Sequence, residues 1–330
     1  MGGLSQSKIV VWAPALLESA AARAALTRQS ALGQLLAYAE ADATAALSLT
    51  DWLGRCFDLP ASWGVAPTEA AAIPGLSAVN VYRADPMAWV ADRQAVHTLH
   101  GAALDLSLPD ARLLAQRLND AFVEDGIRIH VATADRWYLN FDRPRDVRTQ
   151  APDAAQRFMV HERLPKGADG RWWWRLFTEM QMVLHGAPPN ARREANGLPR
   201  VNALWLWGEG VTAQPGRLRP DRLAATQSTA AALAEQAGIA CVDPLQWQTL
   251  DDVSQWWLGG TYGVMILARA DADWPGWRWL SALLQTDRRL GVDVFAGQGR
   301  RWQCRRAGWL RRLRGRGRFE SRFAADDALM

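Results

Sequence analysis

Asn190 and Arg193 lie inside the stretch HGAPPNARREANGLPRVNALWLWGEG at 185–210, where Pro and Gly punctuation precedes an apolar run at 204–207 and a Gly-Glu-Gly turn. Polar side chains set between a short buried strand and its loops have the grammar of a strand that ends in a ligand-facing loop. This is the most site-like part of the chain, and elsewhere few groups are able to act. There is no G-x-x-x-x-G-K-[ST] phosphate loop, no G-x-G-x-x-G after a strand, no G-x-S-x-G nucleophile elbow and no H-E-x-x-H zinc motif. The five histidines are His97, His100, His130, His161 and His185. His97 and His100 are spaced to meet on a helical turn, but the residues around them read as strand and turn, so the pair is expected to face solvent. The three cysteines, Cys56, Cys241 and Cys304, are scattered and odd in number, which argues against both a disulfide framework and a thiolate zinc site.

Ten arginines fall between Arg300 and Arg322, interleaved with Trp302, Trp309 and Phe319, and the rest of the chain is mildly acidic. Such a run suits an anionic surface or nucleic acid. The blander alternative, which the absence of a recognisable nucleic-acid fold favours, is a solvated tail whose aromatics dock on the body.

The elements that must position the candidate residues alternate between strand and helix. Residues 8–12 (KIVVW) read as a first buried strand, followed by helices over 20–39 and 44–57 and a Pro/Gly-rich connection over 60–75. A strand is expected at 78–83, then a helix at 108–124 capped by Ser107 with Pro109 in its first turn, and a strand at 127–132. Helix 172–185 precedes the opening stretch. Helix 221–237, strand 238–242, helix 249–258, strand 264–268 and helix 277–290 follow it. This order predicts an α/β protein with a mostly parallel sheet and helices on both faces, built from 1–75 and 166–299. A smaller α+β lobe at 76–165 is inserted, and the arginine-rich tail occupies 300–330. At 330 residues, 49% hydrophobic and 22% charged, the chain can bury a sizeable core. It has no apolar run of the roughly 20 residues that span a bilayer, and its first residues lack signal-peptide character, so a cytoplasmic location is expected.

Several segments, in order, resemble the archaeal-type cofactor-independent phosphoglycerate mutases of the alkaline-phosphatase-like superfamily. The closest resemblance is to their proteobacterial offshoot of RpfE-type regulatory proteins. GVAPTEAAAI at 64–73 resembles G-x-x-P-x-E-A-A-G-I. VYRADP at 81–86 and ADRQA at 91–95 resemble F-R-x-N and D-R-R-A-G, and TADRWYL at 133–139 stands where the family has E-H-R-G-x-L. The stretch at 185–210 resembles H-P-V-N-x-x-R-x-x-G-x-x-P-A-N-x-x-x-x-x-G-x-G.

The resemblance implies a centre of two divalent metals, held by Asp and His, beside a serine that carries the phosphoryl group. The chain departs from that pattern at each element. Its first strand ends WAPA at 12–15 in place of a metal-binding Asp-Gly turn. The nucleophile loop corresponds to ADAT at 41–44, where only Asp42 and Thr44 stand near the serine position. The late metal-binding element survives as ADADWPGW at 270–277, in which Asp271 and Asp273 are a weak remnant suited at most to a hydrated magnesium. VDVFAGQGR at 292–300 replaces the final S-D-H segment.

What the resemblance retains is an anion-holding set: Arg83, Arg93 and Arg136 in the inserted lobe, and Asn190, Arg193 and Asn202 in the opening stretch. Guanidinium forks suit carboxylate or phosphate. The same arginines also lie within two residues of Asp85, Asp92 and Asp135, and structural pairing is an equal alternative. The expectation is a regulatory or ligand-binding pseudoenzyme without a cofactor, whose partner is a small anionic metabolite or a protein. The alternative is an active mutase or phosphatase using Mn, Zn or Mg.

Overall fold

A computed structural model of the chain describes residues 7–17, 27, 29–36, 39–44, 47–91, 96–152, 165–267, 272–296 and 299–305. The chain divides into two compact units, residues 1–59 with 214–330 and residues 60–213.

The first unit opens with β1 (Lys8–Ala13), α1 (Ala31–Leu36), the edge strand β2 (Glu40–Ala43) and α2 (Leu49–Cys56). Among the described residues, α1 is the helical part of the expected 20–39 and α2 lies inside the expected 44–57, while β2 stands between them where no strand is expected. The second unit holds α3 (Val65–Ala71), β3 (Val81–Ala91), β4 (Val96–His100), α4 (Leu108–Ala121), β5 (Ile127–Thr133) and β6 (Arg136–Phe141). It continues through α5 (Gly170–His185), α6 (Pro188–Ala195) and β7 (Ala203–Trp207). The chain then returns to the first unit with β8 (Arg222–Ala224), α7 (Ser228–Ala237), β9 (Cys241–Val242), α8 (Leu250–Trp257), β10 (Tyr262–Ile266), α9 (Gly276–Thr286), β11 (Gly291–Ala296) and β12 (Arg300–Arg305).

The seven-stranded sheet of the first unit runs β2-β12-β11-β1-β10-β8-β9. The five strands from β11 to β9 are mutually parallel, and β12 and β2 join antiparallel at one edge. The protein is thus mixed α/β with a large, mostly parallel sheet. Successive side chains of β1 point to opposite faces. Ile9, Val11 and Ala13 enter a core with α1, α8 and α9, whereas Trp12 packs on Trp52 of α2 at 5.2 Å between ring centroids, with Phe295 beside it.

The five-stranded sheet of the second unit runs β4-β3-β6-β5, with β7 paired to β3. This pairing moves the expected boundaries of the inserted lobe. The antiparallel register Arg83↔Trp207 to Met87↔Ala203 makes residues 203–207 a member of the smaller sheet, and α5 buries Trp173, Leu176, Phe177, Met180 and Leu184 in that sheet's core. The insertion therefore begins near 60 and ends near 213, not at 76 and 165. The tail boundary also shifts. Residues 300–305 form β12, with Trp302 and Cys304 in the main core, and only 306–330 lie outside the described residues.

Candidate functional site

Four of the segments that carry the resemblance, at 64–73, 81–86, 133–139 and 185–210, meet around one buried ion cluster in the second unit; the fifth, at 91–95, lies outside the described residues but for its first residue. Helix α3 starts where the Gly-Glu-Gly turn approaches it. The Gly208 carbonyl accepts the Ala66 N–H at 2.8 Å, one of the helix's otherwise unpaired donors, and Gly64 N–H donates to the Val211 carbonyl at 2.9 Å. The backbones pass so closely that a Cβ on Gly64 would lie 2.5 Å from the Glu209 carbonyl oxygen, and Gly210 has φ of +141°. Both glycines are required by this approach. Thr68 ties the junction from the other side, donating to the Gly64 carbonyl at 2.6 Å and accepting the Ala213 N–H at 2.9 Å.

This seating places Glu69, one residue further along α3, beneath the sheet at 2% exposure. Arg83 of β3 donates through Nη1 to Glu69 Oε2 at 2.9 Å, and through Nε and Nη2 to Asp85 Oδ1 at 3.0 and 2.6 Å. The Tyr138 hydroxyl donates to Glu69 Oε2 at 2.7 Å, and Trp207 Nε1 donates to Asp85 Oδ2 at 2.7 Å. The guanidinium also lies over the Trp207 and Tyr138 rings, 5.2 and 5.7 Å from their centroids. Burial works against the Arg83 charge, but Asp85 and Glu69 outweigh it and hold the guanidinium above its ordinary pKa. Burial likewise raises the Tyr138 hydroxyl, with the Glu69 charge acting in the same direction. Arg83, for which ligand binding and pairing with Asp85 were equal alternatives, is the cation of an internal network that includes Asp85.

The polar residues of the opening stretch are committed to main chain in the same way. Asn190, fully buried on α6, donates through Nδ2 to the carbonyls of Leu184 and Val201 at 2.7 and 2.8 Å and accepts the Val201 N–H at 2.8 Å. Arg193 donates to three carbonyls: Nε to Pro199 at 2.9 Å, Nη1 to Asp105 at 2.8 Å and Nη2 to Leu104 at 2.5 Å. Asn202 brackets Trp89, accepting its N–H at 2.7 Å and donating to its carbonyl at 2.9 Å. Asparagine and arginine stand in for strand neighbours here and satisfy buried main-chain groups. The stretch is a splice between α5, α6, β3 and β7, and 188–195 is a helix where a loop was expected.

Arg136 differs from these residues. It opens β6 and is half-buried; its side chain makes no hydrogen bond or ion pair among the described residues, and its Nε is buried. Asp135, the neighbour expected to pair with it, accepts from Thr133 Oγ1 at 2.7 Å instead. His100, expected to face solvent with His97, ends β4 half-buried with its Nε2 also buried and unpartnered. Arg93 and its neighbour Asp92 lie outside the described residues.

Among the described residues, the positions read as remnants of a metal centre do not converge. Trp12 faces α2, whereas Trp274 packs on Trp277 at 5.3 Å and against the core on the opposite face of the main sheet. Asp42 is on the edge strand β2, where Gln303 Nε2 donates to it, and Thr44 donates to the Gly299 carbonyl at 3.2 Å. Asp273 is exposed, and Asp271 lies outside the described residues. Among the described residues no three His, Cys, Asp or Glu side chains converge to hold a metal ion, so the donor set present there does not fit a two-metal centre.

No protein-family model matches the chain. A 2,3-bisphosphoglycerate-independent phosphoglycerate mutase of Methanosarcina mazei is 26% identical over 122 residues, 35% of this chain and 31% of the relative. The match thus spans about a third of that enzyme's length. In fold, the chain is similar to the PH0037 protein from Pyrococcus horikoshii, with a TM-score of 0.51 at 10% identity over 92% of this chain and 88% of the other. A cofactor-independent phosphoglycerate mutase from Thermoplasma acidophilum aligns over 91% of this chain and 89% of its own, with a TM-score of 0.43 at 12% identity. No helix among the described residues is long and apolar enough to cross a membrane.

Proposed function

We propose that this chain is a ligand-binding regulatory pseudoenzyme, built on a phosphoglycerate-mutase-like frame and working without a metal cofactor, in the manner of an RpfE-type regulatory protein. Its ligand class is a small phosphorylated or carboxylated metabolite. The observation that carries this reading is the fate of the mutase-like polar set. Arg83, Asn190, Arg193 and Asn202 maintain the frame through internal bonds, and Arg136 is left with an uncommitted guanidinium. A frame kept intact by such bonds, with a cation to spare and no converging metal ligands among the described residues, suits recognition of an anion better than two-metal phosphoryl transfer.

Two measurements test the reading. Chain purified without chelator is expected to hold no stoichiometric Mn, Zn or Mg and to leave 3-phosphoglycerate unconverted when these metals are added. In a thermal-shift screen, phosphoglycerates are expected to raise the melting temperature. Stoichiometric metal with turnover would establish the rival reading, an active mutase or phosphatase. No shift with any phosphoglycerate or nucleotide would remove the sensing role.

A further inference from the structure

Pro86 marks a change of partner along one flank of β3. On that flank β6 covers Val81–Arg83 and β4 covers Met87–Ala91, while β7 runs along the other flank from Arg83 to Met87 without a break. Proline offers no N–H to a neighbouring strand. Beside it β4 ends at His100 and β6 begins at Arg136. His100 pairs with Met87, and continuing the β6 register one step at a time sets Arg136 opposite Asp85. His100 and Arg136 therefore lie two positions apart on the same face, about 7 Å along the strand direction. Their neighbours close the junction: a Cβ on Gly101 would lie 4.0 Å from Asp135 Oδ2.

At this junction His100 Nε2 and Arg136 Nε are both buried and without a partner among the described residues. Folded proteins pair nearly all such atoms, because a buried donor left alone has given up its water without a replacement. Arg136 Nε is a donor in every state, and His100 Nε2 is a donor in one neutral tautomer. Both residues remain partly exposed, so the junction is open to solvent beyond the covered atoms, and the Arg136 side chain has no bond to a described residue to break when it turns. The nearest carboxylate on its own hairpin, Asp135, is engaged by Thr133.

We propose that His100 and Arg136 form a two-point clamp for one oxyanion, the carboxylate or phosphate of a small ligand. Arg136 turns about its side-chain torsions so that its Nε–H and the His100 Nε2–H each donate to an oxygen. This clamp rests on the anion-binding reading above and gives it a location.

The test is titration of the full chain with inorganic phosphate and, separately, acetate, followed by calorimetry and by the side-chain 15N–H resonances of arginine and histidine. Binding by the wild type is expected to move the Arg136 Nε–H signal, and the stronger of the two anions identifies the group preferred. Arg136→Met and His100→Phe are each expected to weaken binding on the order of tenfold or more. Neither is expected to lower the melting temperature of the ligand-free chain, because each removes an unsatisfied polar atom. If the wild type binds and both variants bind equally well, or if both variants melt well below the wild type, the clamp is wrong and the anion-binding reading survives. If the wild type binds neither anion nor any phosphoglycerate, both fall together.

Discussion

The side-chain amide of Asn190 exchanges hydrogen bonds with the main chain of Val201 in both directions, accepting its N–H and donating to its carbonyl, each at 2.8 Å. Asn190 thus acts as a one-residue strand laid beside the approach to β7. Asn190→Ala would leave the buried N–H and carbonyl of Val201 unpaired, at about 1–3 kcal/mol each, while the Leu184 carbonyl keeps the Ala187 N–H. A loss of roughly 2 kcal/mol or more in urea denaturation is expected, with unchanged phosphate affinity in the fraction that remains folded. Full stability with lost phosphate binding would show that the residue serves a ligand instead.

Arg83 neutralises two buried carboxylates, so its effect depends on whether they are still charged. Removing one member of such a network typically costs about 3–5 kcal/mol, whereas removing the network together costs much less. Arg83→Met is therefore expected to destabilise strongly, and the triple variant Glu69→Gln, Arg83→Met, Asp85→Asn to recover much of the loss. Arg83→Lys should rescue poorly, since an ammonium cannot reproduce the fork shared between Glu69 and Asp85. A triple variant no more stable than the single one would refute the electrostatic account.

The long elements were legible in the sequence because their signals are local. The β-branched apolar run in KIVVW marks β1, and Ser107, Pro109 and Asp110 mark the start of α4. Short or disguised strands were not. The three residues of β8 cannot show a period, and they were absorbed into an expected helix. In β12 the arginines at 301 and 305 alternate with the core residues Trp302 and Cys304, but a run rich in guanidinium reads as solvated tail. At the site, the grouping of motifs was legible, whereas the use of their side chains was not. Asn190, Arg193 and Asn202 have the right chemistry for either a ligand or main chain. Two of the groups that decide between these, the carbonyls of Leu104 and Asp105, lie 89 and 88 residues away from Arg193. Pro86 was the available signal for the junction at His100, since a proline within a strand implies a gap in its neighbour.

Buried thiols set a limit on alkaline stability. Burial raises the Cys56 thiol to about 11, against smaller opposing effects of Tyr262 and Lys8, and raises Cys304 to about 12. In the unfolded chain these thiols ionise near pH 9. The folded state therefore holds protons that the unfolded state has lost, and stability is expected to be fully present below pH 9 and to decline as pH rises toward 11 and 12. Urea midpoints measured across that range should fall for the wild type and fall less steeply for Cys56→Ala. A wild-type midpoint that is flat or rises would contradict the burial of both thiols.

The arginine-rich end divides at Arg305 into a strand and the residues beyond it. Within β12, Arg301 Nη2 and Arg305 Nη1 donate to the two oxygens of Asp293 at 2.6 and 2.9 Å, and Asp293 is 3% exposed. Deleting 300–330 would remove both cations from that buried carboxylate, strip Trp302 and Cys304 from the core and leave β2 without its sheet partner. Loss of cooperative unfolding is expected for this deletion. Deleting 306–330 keeps every one of those contacts and removes seven of the ten arginines that lie between 300 and 322. That shorter chain is expected to melt cooperatively within a few degrees of the full one. Any salt-sensitive retention on heparin shown by the full chain should disappear with it, because counterion release scales with the number of cationic contacts. Undiminished heparin retention after removal of 306–330 would move the basic surface onto the folded units.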